Sequence, residues 1–334
     1  MTKIINIAVD AMGGDNSPEK IIEGISIHNK TTKNINYNIY GNEKLINPFI
    51  KKFNIDENCY QIFHTEKTIL DEDSPLAAAK KKETSLWKSV ESVKVGQSDA
   101  VVSAGNTGAL FVIAKLNINM IENIDKPALS ALWPNKIGMN VVLDLGANIE
   151  CSEKNLVDFS IMGAAFHTAL FENQRSKVAI LNIGSEELKG NTVIKNTYQI
   201  LNEKKNKLFD FFGYIEGNHI MDGEVNVIIT DGFTGNVALK TAEGTANFIT
   251  SELKKAFTSN ILGKLSALLN IRNLKKFKNK LDPRLYNGAI LLGLDKPVIK
   301  SHGSTDSIGF ANSLKVCEKT IKGQLINKIK ENII

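Results

Sequence analysis

Five short stretches of the chain combine glycine with hydrogen-bonding side chains. They are Asp10-Ala-Met-Gly-Gly-Asp15, Ser103-Ala-Gly-Asn-Thr-Gly108, Asp144-Leu-Gly-Ala-Asn148, Asn182-Ile-Gly-Ser-Glu-Glu-Leu-Lys-Gly-Asn191 and Thr230-Asp-Gly-Phe-Thr-Gly-Asn236. Glycine lets backbone approach a ligand closely, and a helix that starts after such a loop turns unpaired N–H groups toward an anion. Thr107 and Gly108 immediately precede one apolar helical segment, and Thr234, Gly235 and Asn236 precede another. Two helix N-termini converging on one point make a cradle for phosphate or a developing oxyanion. Lys189, in the fourth loop, is a candidate mobile positive charge, set against the ordinary reading of a solvated surface lysine.

Other chemistries lack their residues. No GxxxxGK(S/T) loop cradles a nucleotide, no GxGxxG follows the first apolar run, and there is no GxSxG turn or HExxH helix. Cys59, Cys151 and Cys317 are far apart, and His28, His64, His167, His219 and His302 are scattered, so neither a metal site nor a disulfide framework is expected. Arginine occurs only at 175, 272 and 284. A dehydrogenase of the isopropylmalate type, which needs clustered arginines for its polycarboxylate and aspartates for a metal, is the competing reading and is disfavoured on that ground. No cofactor is expected.

The elements that must position these loops alternate in type. The short apolar runs Ile4–Val9, Ala100–Val102, Val141–Leu143, Val178–Leu181 and Val225–Ile229 read as strands. Residues 110–116, 156–171 and 237–248 have helical period. Alternation of this kind predicts parallel pairing through right-handed crossovers, with both sheet faces covered. The expected fold is a doubly wound α/β/α sandwich, one domain over residues 1–334. Ligands bind beyond the carboxyl ends of strands in such sheets, and all five loops are expected at that one edge.

Charge is local. Net charge is +5, but residues 251–284 alone hold nine Lys or Arg against Glu252 and Asp282, which leaves the rest of the chain at −2. A nucleic-acid surface is therefore not indicated; one patch needs explaining. The first residues lack a leader pattern, and no run reaches the roughly 18 apolar residues of a membrane span. A cytoplasmic protein is expected.

Taken together, the loops resemble the PlsX family of phosphate acyltransferases. The matching segments are Ala8–Asp15 with Pro18, Ser103–Ala109, Asp144–Asn148, Asn182–Glu186 with Lys189-Gly-Asn191, Thr230–Val237, and Pro297–Ser304 with Asp306. Thr305 and Asn287 depart from the usual pattern, outside the loops relied on most. The resemblance implies an isocitrate/isopropylmalate dehydrogenase-like fold and a reaction in which an acyl carrier protein thioester and inorganic phosphate give acyl phosphate and free carrier protein. It implies Lys189 as the partner of phosphate charge and Asn236 as the oxyanion donor. Gly13, Gly14, Ser103, Gly105, Asn106, Thr107, Gly108, Asp231, Gly232, Thr234, Gly235, His302, Gly303 and Ser304 are implied substrate contacts, with Asp10 and Asp15 orienting loops. His302 is read equally as a hydrogen-bonded structural histidine.

The resemblance further implies a homodimer, peripheral contact with the inner face of the cell membrane, and a membrane glycerol-3-phosphate acyltransferase as acceptor of the product. The basic segment 251–284 is expected to project as a helical hairpin, with Ile261, Leu262, Leu265, Leu268 and Leu269 as an apolar band. Three readings stand for it: packing on the core, a dock for the acidic carrier protein, and a tip resting in the membrane interface.

Overall fold

The computed structural model describes residues 4–171, 174–203 and 206–333. Its strands are β1 (Ile5–Asp10), β2 (Ile35–Gly41), β3 (Tyr60–His64), β4 (Ala100–Ser103), β5 (Ala128–Pro134), β6 (Met139–Leu143), β7 (Ser176–Asn182), β8 (Phe209–Glu216), β9 (Val227–Ile229), β10 (Ala289–Leu292) and β11 (Val298–Lys300). They form one sheet in the order β3-β2-β1-β4-β11-β10-β5-β6-β9-β7-β8.

The runs are mostly apolar because both faces are covered, as expected. Side chains alternate across a strand, so Ile7 and Val9 of β1 join one core while Ala8 joins another. The first face packs under helices Glu19–Asn29, Glu153–Leu170 and Ser307–Lys322, which bring Ile21, Phe159 and Phe310 into that core. The second face packs under Ser85–Lys94 and Thr107–Asn117 around Leu86, Val90 and Ile113.

Two expectations need correction. The sheet is mixed: β10 runs antiparallel to both β11 and β5, and β5 antiparallel to β6. Only residues 135–138 join β5 to β6, and only 293–297 join β10 to β11. A parallel return needs a crossover of a dozen or more residues, so these pairs can close only as antiparallel neighbours. The second correction follows from the first. β1, β4 and β11 point one way and β6, β9 and β7 the other. The five polar loops therefore leave the sheet at two opposite edges, not one.

One helix links the two edges. Gly232–Thr258 has 27 residues, roughly 40 Å at 1.5 Å per residue. Its early turns pack Ala238, Leu239 and Ala242 against an apolar cluster that holds Trp133, Val142 and Ile228; its later turns leave the body, mostly exposed. Helices Ile261–Leu269 and Ile271–Lys280 follow, and the chain returns where Lys280 Nζ donates to the Lys136 carbonyl at 3.0 Å. The basic segment that begins at 251 thus starts inside a helix already under way. Among the described residues, no helix is long and apolar enough to cross a membrane.

Candidate active site

The first edge is built by the ends of β1, β4 and β11. Asp10, the last residue of β1, is buried; its carboxylate accepts from Ser103 Oγ at 2.7 Å and from Ser85 Oγ at 2.6 Å. Burial pushes the Asp10 carboxyl up from the usual range, against the pull of the two hydroxyls. Ser103 Oγ in turn accepts from the Gly105 amide at 3.0 Å. The loops pack so closely that a Cβ on Gly13 would lie 2.5 Å from the Gly105 nitrogen, and only glycine fits there. The amide of Asp15 donates to the Gly303 carbonyl at 3.0 Å, which brings the third loop against the first.

Asn106 caps the Thr107–Asn117 helix, accepting from the Ala109 amide at 3.0 Å. Its own amide donates to the Asp71 and Asp73 carbonyls, so its side chain pins a loop and is not free for a ligand. The free donors here are the first amides of the helix, at Thr107 and Gly108, which have no intrahelical acceptor. His302 and Ser304 are exposed; Ser304 Oγ lies 3.0 Å from His302 Nδ1. Though the residue is exposed at the surface, partial desolvation of its ring by the surrounding loops, and then the neighbouring Lys300, hold His302 below its usual value. Asn287, one of the departures in sequence, clamps this loop: its oxygen accepts from the His302 amide and its nitrogen donates to Ser301 Oγ, both at 2.9 Å.

Two lysines not among the expected site residues lie in the same place. Lys20 is 5% exposed and Lys300 8% exposed. Lys20 Nζ donates to the Gly303 carbonyl; Lys300 Nζ donates to the Ala104 carbonyl at 3.3 Å and to that of Ser301. Burial lowers both, Lys300 to about 8. Position gave a clue: Lys20 follows the Gly-Gly-Asp loop within one helical turn of Pro18, and Lys300 directly precedes Ser-His-Gly.

The second edge is built by the ends of β6, β9 and β7. Asp144 is fully buried and accepts five bonds, from the amides of Leu129, Gly146, Ala147 and Asn148 and from Asn148 Nδ2. Asn148 passes this order on, its carbonyl accepting from the Gly232 amide at 2.7 Å. Asp231 caps the long helix, accepting from Thr234 N and Thr234 Oγ1, each at 2.8 Å. A Cβ on Gly235 would stand 1.9 Å from the Asp144 carbonyl oxygen, so the helix start and the β6 loop touch through bare backbone. Asn236 is exposed and donates from Nδ2 to the Leu145 carbonyl at 3.1 Å, one of the two N–H groups that its amide carries. Lys189 is exposed in the loop after β7, whose shape is held by Asn182 Nδ2 donating to the Gly184 and Lys189 carbonyls.

Sequence-expected residues therefore fall into two groups. Asp10, Gly13, Gly14, Asp15, Ser103, Gly105, Asn106, Thr107, Gly108, His302, Gly303 and Ser304 gather at the first edge. Lys189, Asp231, Gly232, Thr234, Gly235 and Asn236 lie at the second. The two groups leave the sheet at opposite ends, and the helix that Asp231 caps runs between them, its Lys240 and Glu243 near enough to His302 for their charges to bear on it.

Comparison with known proteins places the fold and the chemistry. A family model described as fatty acid synthesis protein matches residues 5–328. The chain is 64% identical over 334 residues, 100% of each sequence, to a phosphate acyltransferase of Pelagibacter ubique. It resembles a solved phosphotransacetylase from Streptococcus pyogenes with a TM-score of 0.62 at 14% identity, over 98% of this chain and 95% of that one. A 4-hydroxythreonine-4-phosphate dehydrogenase from Klebsiella pneumoniae gives a TM-score of 0.51 at 12% identity, over 95% of this chain and 99% of that one. Transacylases and dehydrogenases share the architecture, so the fold alone does not choose between them. The sequence relatives do.

Proposed function

The chain belongs to the fatty acid synthesis protein family, that of the PlsX phosphate acyltransferases, and from that membership we propose that it takes its acyl group from an acyl carrier protein thioester. Acyl transfer to phosphate is the enzyme's activity. In the proposed reaction a phosphate oxygen attacks the thioester carbonyl and a tetrahedral oxyanion forms. The C–S bond then breaks, and the carrier's thiolate leaves as acyl phosphate is released. A thiol with an ordinary value near 8.5 leaves readily, so little acid assistance is required.

The observation that carries this reading is how the polar groups are spent. Ser103 Oγ is spent on the buried Asp10 and Thr234 Oγ1 on the half-exposed Asp231, while the buried Asp144 is filled by amides. The donors left over are helix-start backbone amides at Thr107 and Gly108, the exposed Asn236 amide and the exposed Lys189 ammonium. That equips the protein to hold an anion and a developing oxyanion, with phosphate itself as nucleophile.

Asn236 is assigned the oxyanion and Lys189 a mobile positive charge. Their separation from the first edge favours a twofold homodimer in which the second edge of one copy faces the first edge of the other. Val237, Phe248 and Ile249, exposed along the long helix, supply apolar area for such a contact. The projecting helices are assigned to the membrane interface: Ile261, Leu262, Leu265, Leu268 and Leu269 are all exposed, beside Lys264, Lys275 and Lys278. This placement suits a lipophilic product passed to a membrane glycerol-3-phosphate acyltransferase at the inner face of the cell membrane.

Incubating purified protein with acyl carrier protein thioester and measuring free thiol tests the donor. Thiol release is expected to rise with phosphate and to be indifferent to ATP, NAD and chelator. Release that needs ATP or NAD would return the dehydrogenase or a nucleotide-driven reading to the front.

A further inference from the structure

Lys20 and Lys300 are buried ammonium groups without a carboxylate partner: among the described residues, neither makes an ion pair within 4.0 Å. A buried charge is costly unless it is paired, and an ammonium carries three donors. Lys20 spends one on the Gly303 carbonyl, and Lys300 spends two, on the carbonyls of Ala104 and Ser301. Two donors of the first and one of the second have no acceptor in the described protein.

Lys20 borders Gly14, and Lys300 reaches the same loops through the Ala104 carbonyl. A Cβ on Gly14 would lie 3.0 Å from Lys20 Nζ and 2.8 Å from the carbonyl oxygens of both Ala104 and Gly303. The three glycine loops of the first edge therefore wrap the two ammonium groups. Lys20 is close enough that its charge disfavours that of Lys300, and His302 feels both. The acids nearby, Asp15 and Asp71 beside Lys20, Asp71 and Asp10 beside Lys300, and Glu243 toward His302, offset this field only in part, since burial outweighs them at all three groups. Asp10 gives its carboxylate to Ser85 and Ser103, while Asp15 and Asp71 are exposed, where water screens them.

We propose that Lys20 and Lys300, with the glycine-loop amides and the N-terminus of the Thr107–Asn117 helix, form a seat for a phosphate oxyanion. Under the acyl-transfer reading, on which this assignment rests, the occupant is the attacking inorganic phosphate. The seat then supplies the charge that sequence reasoning gave to Lys189, and it orients an oxygen outward from the first edge.

The experiment is titration of inorganic phosphate into the unliganded protein by calorimetry, for the wild type, Lys20→Gln and Lys300→Gln. Glutamine keeps a donor for the loop carbonyls and removes the charge. Each variant is expected to weaken phosphate binding at least tenfold and to raise the KM for phosphate by a similar factor, with the KM for the carrier thioester within twofold. Lys20→Gln, whose side chain makes a single loop bond, keeps the test open if Lys300→Gln fails to fold. Unchanged phosphate binding in a folded Lys20→Gln protein overturns the seat. A raised KM for the carrier with unchanged phosphate binding also overturns it, because the lysines would then hold the phosphodiester of the carrier's prosthetic arm. Lysine-dependent phosphate binding in a wild type that makes no acyl phosphate would leave the seat standing and remove the acyl-transfer reading.

Discussion

Ser103 Oγ donates to Asp10 Oδ2 at 2.7 Å, joining the ends of two neighbouring strands whose residues lie 93 positions apart. The bond shapes the first edge, because the same hydroxyl accepts from the Gly105 amide and the same carboxylate holds Ser85. Asp10→Ala would orphan two buried hydroxyls, each worth about 1–3 kcal/mol when left unpaired. A loss of about 3 kcal/mol is expected, read as a lower urea midpoint with an unchanged slope. A midpoint within error of the wild type would show that Asp10 does not hold the edge together.

Asn236→Ala and Lys189→Ala remove groups that stand outside the core, so the fold should be kept. Loss of one preorganised donor commonly costs about 10²–10³ in rate, and a fall of that size in kcat is expected for Asn236→Ala. Lys189→Ala should lower turnover as well, with the circular dichroism spectrum of the wild type. Normal turnover in folded Asn236→Ala would take it out of the oxyanion role.

Lys300 gives a pH signature. Burial, then the charge of Lys20, lowers it to about 8, with Asp71 and Asp10 pulling the other way. The ammonium is present below that value and lost above it. Because kcat/KM reports the free enzyme, kcat/KM for phosphate is expected to fall about tenfold per unit above about pH 8. Lys300→Arg, which stays charged throughout, should lose this limb. An alkaline limb that persists in an active Lys300→Arg protein would assign it to another group.

The projecting helices separate from the chemistry by position. Changing Leu265, Leu268 and Leu269 together to polar residues should abolish flotation with anionic liposomes and leave turnover on a soluble carrier thioester unchanged. Retained flotation would count against the membrane assignment, and a raised KM for the carrier would point to docking instead.

Much of the fold was legible because its signals are local. Each apolar run ending in a Gly-rich loop did become a strand, and the helical periods after Leu110, Leu156 and Val237 lie inside helices. The reversal of the sheet was not legible from alternation of strand and helix. It is set by the short links at 135–138 and 293–297, and β10 and β5 were not among the runs read as strands. That these loops sit at strand ends was legible, and the enclosure of Lys20 and Lys300 among them was hidden. A lysine in sequence reads as solvated, and only three-dimensional packing shows an ammonium enclosed by carbonyls from loops more than a hundred residues apart. Asn106 shows the converse: its type suggested a ligand donor, and its geometry spends it on a helix cap and a loop.

The most direct measurement is a product balance. The protein is mixed with a long-chain acyl carrier protein thioester, with and without inorganic phosphate, and acyl phosphate, free fatty acid and carrier thiol are quantified together by mass spectrometry. The expected result is acyl phosphate equal in amount to free thiol, formed only when phosphate is present. Thiol release without phosphate, or release matched by free fatty acid alone, would contradict direct transfer of the acyl group to phosphate.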